Sequence, residues 1–215
     1  MTGLYLLERS GEPFSEALAK KLPPWRQERL AALKNPTARQ ESLCAGLLLA
    51  CALERHGLDP ALPVALLPAG KPVFSGRANA FFSLSHSGRY VLCAISDRPV
   101  GADVQQMRPV NPSIWRRFHP DEQAWLSMLP EQERQAGLFR LWTRKEAWVK
   151  AVSADRVLSL SEADVIHGLQ GLRFRDYAPP GGYAAAICGA DAALPDTLTT
   201  ISARELAAGT EEENT

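Results

Sequence analysis

Residues 80–105 read AFFSLSHSGRYVLCAISDRPVGADVQ, and their punctuation marks out three strands in a row. Ala80 to Leu84 is the first, an apolar run that ends in a tight polar loop, Ser85-His86-Ser87-Gly88. Arg89 to Ser96 is the second, and Asp97-Arg98-Pro99 turns the chain into the third, Val100 to Gln105. The third strand alternates with period two. Val100, Ala102 and Val104 share one face, and Gly101, Asp103 and Gln105 share the other, less apolar one.

Upstream of this meander, residues 3–7 form a strand, Phe14 to Leu22 a short helix stopped by Pro23-Pro24, and Pro24 or Trp25 to about Lys34 a second helix. Ala38 to His56 carries a helical apolar stripe through Leu43, Leu47 and Cys51, with Gly57 as its stop. Pro60 to Pro68 has a strand-like run before the turn at Gly70-Lys71-Pro72. Downstream, Asn111 to about Ala151 is helical, with Pro120-Asp121-Glu122 as one helix start and Glu131 to Ala151 as the last helix. Strand-like segments return at Ala163–Ile166, Leu172–Tyr177 and Tyr183–Cys188, and the tail from Ala207 is expected to be disordered. The order strand, helices, strands thus occurs twice with its changeover near Pro99, which implies an α+β protein of two similar halves, residues 1–98 and 99–206, followed by a tail at 207–215.

A chain of 215 residues with 46% hydrophobic and 22% charged side chains has enough apolar material for a core. Lys plus Arg and Asp plus Glu number 24 each, so no net field holds the molecule on nucleic acid or an anionic membrane. The balance conceals an asymmetry: residues 1–98 carry 12 basic and 8 acidic side chains, a net +4, and residues 99–215 carry 12 and 16, a net −4. The first half is suited to an anion and the second to a cation. Cys44, Cys51, Cys93 and Cys188 form no CxxC pair and sit among apolar residues, as reduced thiols of a cytoplasmic protein do, which argues against structural zinc. Leu4 to Leu7 is too short an apolar run for a signal peptide or a membrane span.

Asp103 and Gln105 on a strand, with Glu146 and Lys150 one turn apart on a helix, are the first group with chemical potential. Two carboxylates from distant elements meet readily around magnesium, which is typically held by one or two carboxylates plus substrate phosphates. The alternative is a helix-surface pair beside a strand end. Ser85-His86-Ser87-Gly88 offers hydroxyls, backbone N–H groups and an imidazole to a phosphate, or is simply a polar hairpin loop. Lys71 sits at a rigid turn, and Arg26 and Arg29 make a basic helix edge that, read alone, is a solvated face. A GxSxG elbow and HExxH spacing are both absent, which disfavours a serine hydrolase and catalytic zinc.

Taken in order, GKP at 70–72, FFSLSHSG at 81–88, PVGADVQ at 99–105 and LWTRKEAWVKA at 141–151 resemble the 4′-phosphopantetheinyl transferase superfamily, in particular its larger single-chain class, which activates carrier domains of peptide and polyketide synthases. The resemblance implies a pseudo-two-fold pair of α+β halves with coenzyme A in the cleft between them. It implies magnesium-dependent transfer of the 4′-phosphopantetheine arm of coenzyme A to a serine of an acyl or peptidyl carrier protein, with release of 3′,5′-ADP, by a cytoplasmic monomer. On that resemblance Asp103, Glu146 and Gln105 are the metal ligands, Glu146 is also the base, and Lys150 assists the leaving phosphate. Lys71, Ser85 and His86 fall at coenzyme-binding positions, and Arg26, Arg29 and Ser42 where weaker contacts are expected. Glu122 stands where some members place an auxiliary acid, or is a helix-start charge, and exposed Arg116, Arg117 and Arg144 are expected to receive an acidic carrier protein. Gln105 departs from the family pattern, which has a carboxylate there. Two other readings are a non-catalytic coenzyme A or carrier-protein binding module on the same fold, and a metal-dependent phosphohydrolase.

Overall fold

A computed structural model describes all residues except 10–12, 69, 77–78, 153–158, 191–193 and 209–215. Strand β1 (Gly3–Glu8) leads through a 3-10 turn (Glu16–Lys21) to helices α1 (Pro24–Ala32) and α2 (Pro36–Arg55). Each helix starts on a proline, whose missing N–H costs nothing there, and Asn35 caps α2 by accepting from the Ala38 N–H at 3.1 Å. A small hairpin of β2 (Val64–Leu66) and β3 (Pro72–Phe74) precedes β4 (Phe81–Ser87), β5 (Tyr90–Ser96) and β6 (Val100–Gln106). After a second 3-10 turn (Pro112–Arg117) come α3 (Pro120–Met128), the long α4 (Glu131–Val152), β7 (Arg173–Tyr177), β8 (Tyr183–Gly189), β9 (Thr199–Ile201) and α5 (Ala203–Ala208).

The strands form a four-stranded sheet in the order β4-β5-β1-β9 and a three-stranded sheet in the order β6-β8-β7. Period-two alternation then stacks the layers. Tyr5, Leu7, Val91, Cys93 and Ile95 face α2, while Leu4, Leu6, Leu92 and Ala94 meet Val100, Ala102, Val104, Ala185 and Ile187 of the second sheet. Ala186 and Cys188, on the far face of that sheet, pack on Leu141, Ala147 and Trp148 of α4. The order of layers is therefore α2, first sheet, second sheet, α4, and all seven residues of β5 are buried because both of its faces are covered.

On β4 the odd residues that face β6 are serines. The N–H groups of Ala102, Val104 and Gln106, on the edge of β6 that has no strand beside it, donate to the hydroxyls of Ser83, Ser85 and Ser87 at 2.9, 3.4 and 3.0 Å. Side chains thus replace a ladder, and an otherwise unpaired sheet edge is satisfied at the junction of the halves.

Several expectations are corrected. Ser85 to Ser87 are strand, because their hydroxyls are engaged with β6, and the turn falls at Gly88, whose φ is +52°. Residues 163–166 form no strand: Glu122 accepts from the Val165 N–H at 2.8 Å and Arg144 donates to the Val165 carbonyl at 2.8 Å, so side chains take the place of a neighbouring strand. The strand β9, within the stretch 99–206 expected as the second half, pairs in parallel with β1, Tyr5 opposite Thr199 and Leu7 opposite Ile201. Residues 207 and 208 close α5, and the rest of the expected tail lies outside the described residues.

Candidate active site

Helix α4 lies directly on β6 because position 101 has no side chain. A Cβ there would stand 1.9 Å from the Ala147 carbonyl oxygen and 2.5 Å from the Ala151 nitrogen, inside any allowed contact. The close approach brings the polar face of β6 onto one face of α4. Asp103, only 1% exposed, accepts at Oδ1 from the Lys150 ammonium at 2.6 Å and from the Ser85 hydroxyl at 2.6 Å, and at Oδ2 from the Gln105 amide at 3.1 Å. Lys150 also donates to the Ala102 carbonyl at 3.2 Å. Glu146, one turn before Lys150, has its carboxyl held above the usual range by burial and by the negative charge of Asp103, with Lys150 opposing both. Asp103, Gln105, Glu146 and Lys150 are therefore assembled as a group.

Beside them lies a cavity of about 440 Å³ lined by Arg26, Arg29, Ser42, Lys71, His86 and Lys150, among others. Lys71, on the turn before β3, reaches across to the Lys150 carbonyl at the C-terminal end of α4, where a cation is favoured. Burial holds its ammonium below the usual lysine range. Arg26 is 4% exposed and donates to the Ser42 carbonyl at 3.1 Å, but its Nε and the Ser42 hydroxyl have no hydrogen-bond partner among the described residues. Burial, with Arg29 second, pushes the Arg26 guanidinium down to about 10, so it is still a cation at neutral pH. The glycine in mid-α2 has its reason here: a Cβ on Gly46 would meet Leu22 at 2.7 Å and the Arg26 side chain at 3.1 Å. Buried, unpaired donors on a cavity wall suit an oxygen-rich anion.

Ser85 differs from the expectation: it is 7% exposed, is spent on Asp103 and the β6 edge, and is not part of the cavity lining. Glu41 was not foreseen. It joins the lining from α2, pairs with Arg9 at 3.1 Å and lies 3.4 Å from Nδ1 of His86. No motif in the sequence flags it, because its partners come from β4 and from the residue after β1.

Glu122 is a helix-start charge, the N3 acid of the α3 capping box, and it is buried. Its carboxylate, 0% exposed, takes Lys145 Nζ at 2.7 Å, the His119 N–H at 3.1 Å and the Val165 N–H at 2.8 Å, while Lys145 also donates to the Leu160 and Ala163 carbonyls. The motif lysine Lys145 is thus a clamp joining α3, α4 and the 160–165 turn. Arg144, expected to be exposed, is bound to Asp176 at 2.7 Å and to the Val165 carbonyl, whereas Arg116 and Arg117 are exposed. His119, Asp121 and Asp164 bring potential ligand atoms within 4.8 Å of one another; His119 caps α3 and Asp164 accepts from the Ile166 N–H, so local structure accounts for two of them. No helix among the described residues is long and apolar enough to cross a membrane.

The family model described as the 4′-phosphopantetheinyl transferase superfamily matches residues 99–188, the stretch from β6 to β8 that contains Asp103, Glu146 and Lys150. The chain is 25% identical to the 4′-phosphopantetheinyl transferase Sfp of Bacillus subtilis (strain 168) over 219 aligned residues, which cover 95% of this chain and 98% of Sfp. It is 37% identical to the 4′-phosphopantetheinyl transferase HetI of Nostoc sp. over 45% of this chain and 43% of HetI. To the 4′-phosphopantetheinyl transferase AcpT of Salmonella typhimurium it is 36% identical over 57% of this chain and 64% of AcpT. Relatives that share one printed name, one of them aligned over 95% of this chain, agree with a family model lying on the carboxylate site itself: the chain is similar to the 4′-phosphopantetheinyl transferases, and its residues 99–188 match that superfamily's model.

Proposed function

We propose that the protein transfers the 4′-phosphopantetheine arm of coenzyme A to a serine hydroxyl of an acyl or peptidyl carrier protein and releases 3′,5′-ADP. The observation that carries this reading is the union of Asp103, Glu146 and Lys150 at the edge of a cavity whose walls hold Arg26, Arg29, Lys71 and His86. Coenzyme A presents a pyrophosphate and a 3′-phosphate, and unpaired donors such as Arg26 Nε are matched to such oxygens.

In the reaction the carrier serine oxygen forms a bond to the phosphorus bearing the pantetheine arm, and the bond from that phosphorus to the oxygen of 3′,5′-ADP breaks. Glu146 receives the serine proton, and its raised affinity for protons makes it a stronger base than an ordinary glutamate. Lys150, anchored on Asp103 Oδ1, stands ready to neutralise the leaving phosphate, and Lys71 and the arginines hold the nucleotide end in place. The donor set fits a hard divalent cation: two carboxylates close enough for one to raise the other, with a single ammonium between them, leave uncompensated negative charge. Asp103 and Glu146 would hold magnesium, with the Gln105 carboxamide oxygen beside them. When bound, the ion would neutralise charge on the pyrophosphate oxygens.

Both halves of the cleft come from one chain, so a monomer is complete, and a cytoplasmic setting suits the free cysteines. The test is incubation with apo carrier protein, coenzyme A and magnesium, followed by intact mass. A carrier mass gain of one phosphopantetheine arm is the expected result. Binding of coenzyme A without that gain would establish the non-catalytic module, the reading that Gln105 favours, and release of phosphopantetheine without carrier would establish a hydrolase.

A further inference from the structure

A carboxylate is out of place in a cavity built for anions, yet Glu41 lines this one among Arg26, Arg29, Lys71, His86 and Lys150. It is the middle member of a chain drawn from three elements. Arg9, just after β1, holds Glu41 Oε1 at 3.1 Å and also donates to the Gly88 carbonyl; Glu41 Oε2, on α2, lies 3.4 Å from Nδ1 of His86 on β4. Both the Arg9 and the Glu41 side chains are 19% exposed, whereas that of His86 is 48% exposed. Two half-sequestered charges thus back an imidazole that opens on the cavity.

We propose that Glu41 is a positioning residue for the anion site: fixed by Arg9, it holds the His86 ring through Nδ1–H and reserves Nε2 for a phosphate oxygen of coenzyme A. Which ring nitrogen carries the proton is set by the hydrogen bond that the other nitrogen makes, so a carboxylate on Nδ1 selects the tautomer and favours the doubly protonated, phosphate-binding form. Arg9 keeps Glu41 from acting as a free negative charge toward the ligand. The inference rests on the transferase reading for the identity of the anion, but not for the coupling between Glu41 and His86.

The groups facing His86 set the sign. Burial depresses its affinity for protons most; Glu41 on α2 raises it, and Arg9, Lys150 on α4 and Arg26 on α1 lower it. Removing Glu41 charge leaves only depressing influences, so the ring should lose its proton at a lower pH.

The experiment titrates the four histidines by carbon–proton correlation NMR, with H86Q to assign the resonance, and measures coenzyme A affinity by calorimetry, in wild type, Glu41→Gln, Glu41→Asp and His86→Gln. Glu41→Gln should move the His86 midpoint down while leaving His119 and His167 in place, and weaken coenzyme A on the order of fivefold, with KM rising more than kcat falls. Glu41→Asp should recover part of both. In a His86→Gln background the Glu41 change should add nothing, because two residues acting through one contact are not additive. An unmoved midpoint, an unmoved affinity or full additivity in the double variant overturns the proposal. Should wild type fail to bind coenzyme A at all, the transferase reading fails, while the histidine titration still decides whether Glu41 governs His86.

Discussion

Gln105 is the residue at which this site departs from a full set of carboxylates, and its amide spends a hydrogen bond on Asp103 Oδ2 at 3.1 Å. Gln105→Glu removes that donor and adds a third negative charge facing one ammonium, so a divalent cation should bind more tightly, on the order of tenfold. Calorimetric titration with magnesium and manganese measures this, and weaker binding in the variant would contradict a cation between Asp103 and Glu146. The same electrostatics set the acid limb of the pH–rate profile. Glu146 must be deprotonated to act, and burial with Asp103 holds its carboxyl above the usual range, so activity should fall at a higher pH than an ordinary glutamate would impose. Raising the magnesium concentration should move the limb to lower pH, because proton and cation compete for one carboxylate; a limb that ignores magnesium would separate the two roles. The strand of Asp103 and the helix of Glu146 and Lys150 are legible from periodicity, but spacing alone leaves a helix-surface pair open, and it is the resemblance that leads one to expect them together. Ser85 reads from the sequence as a coenzyme-binding hydroxyl, since nothing local says that it is engaged by Asp103 and the Val104 N–H on the edge of β6.

The pairing of α4 with β6 is what turns two distant segments into one site, and it depends on the absence of a Cβ at 101. Gly101→Ala should force the helix off the strand, with a loss of stability of about 1–3 kcal/mol as for other overpacked sites and a larger proportional loss of transfer, since Glu146 would be carried away from Asp103. Chemical denaturation and the carrier-loading assay read the two effects; a variant with wild-type stability would mean that the contact relaxes freely. The Glu122–Lys145 clamp makes a different prediction. Both side chains are 0% exposed and each meets further backbone partners, so Glu122→Gln strands a buried ammonium and should cost about 3–5 kcal/mol. If Glu122 were an auxiliary acid, activity would instead fall with stability unchanged. Helices α1 to α4 and most strands follow from periodicity and caps, α5 does not, and residues 163–166 read as strand because Val165 is apolar while its backbone is satisfied by Glu122 and Arg144, contacts with no local signature. The short β9 was missed for a related reason: three residues carry too little pattern, and their partner is β1 at the other end of the chain.

The whole molecule is two sheets pressed face to face, with a cavity whose basic walls come mostly from the first half and whose last wall, Val149 and Lys150, comes from α4 of the second. The basic side chains of the +4 half thus have a location, since Arg26, Arg29 and Lys71 share the cavity lining with Lys150, which pairs with Asp103 of the −4 half. Among the described residues, direct polar links between the two sides include the serine ladder from β4 to β6, the Ser85–Asp103 bond, and Lys71 on the Lys150 carbonyl. A ligand gripped by Arg26 and Lys71 on one side and by Lys150 on the other is a further tie, and binding only to the folded molecule adds RT ln(1 + [L]/Kd), about 2.7 kcal/mol at a hundredfold excess over Kd. Coenzyme A should therefore raise the melting temperature in proportion to the logarithm of its concentration, and adenosine 3′,5′-bisphosphate, which lacks the arm and one phosphate, should raise it less. Lys71→Ala should shrink the coenzyme-dependent rise much more than it alters the melting temperature of the free protein, because the lysine contributes one hydrogen bond to a helix end that solvent can replace. A calorimetric scan series across coenzyme A concentrations checks both statements, and an undiminished rise in Lys71→Ala would place the phosphates elsewhere than in this cleft.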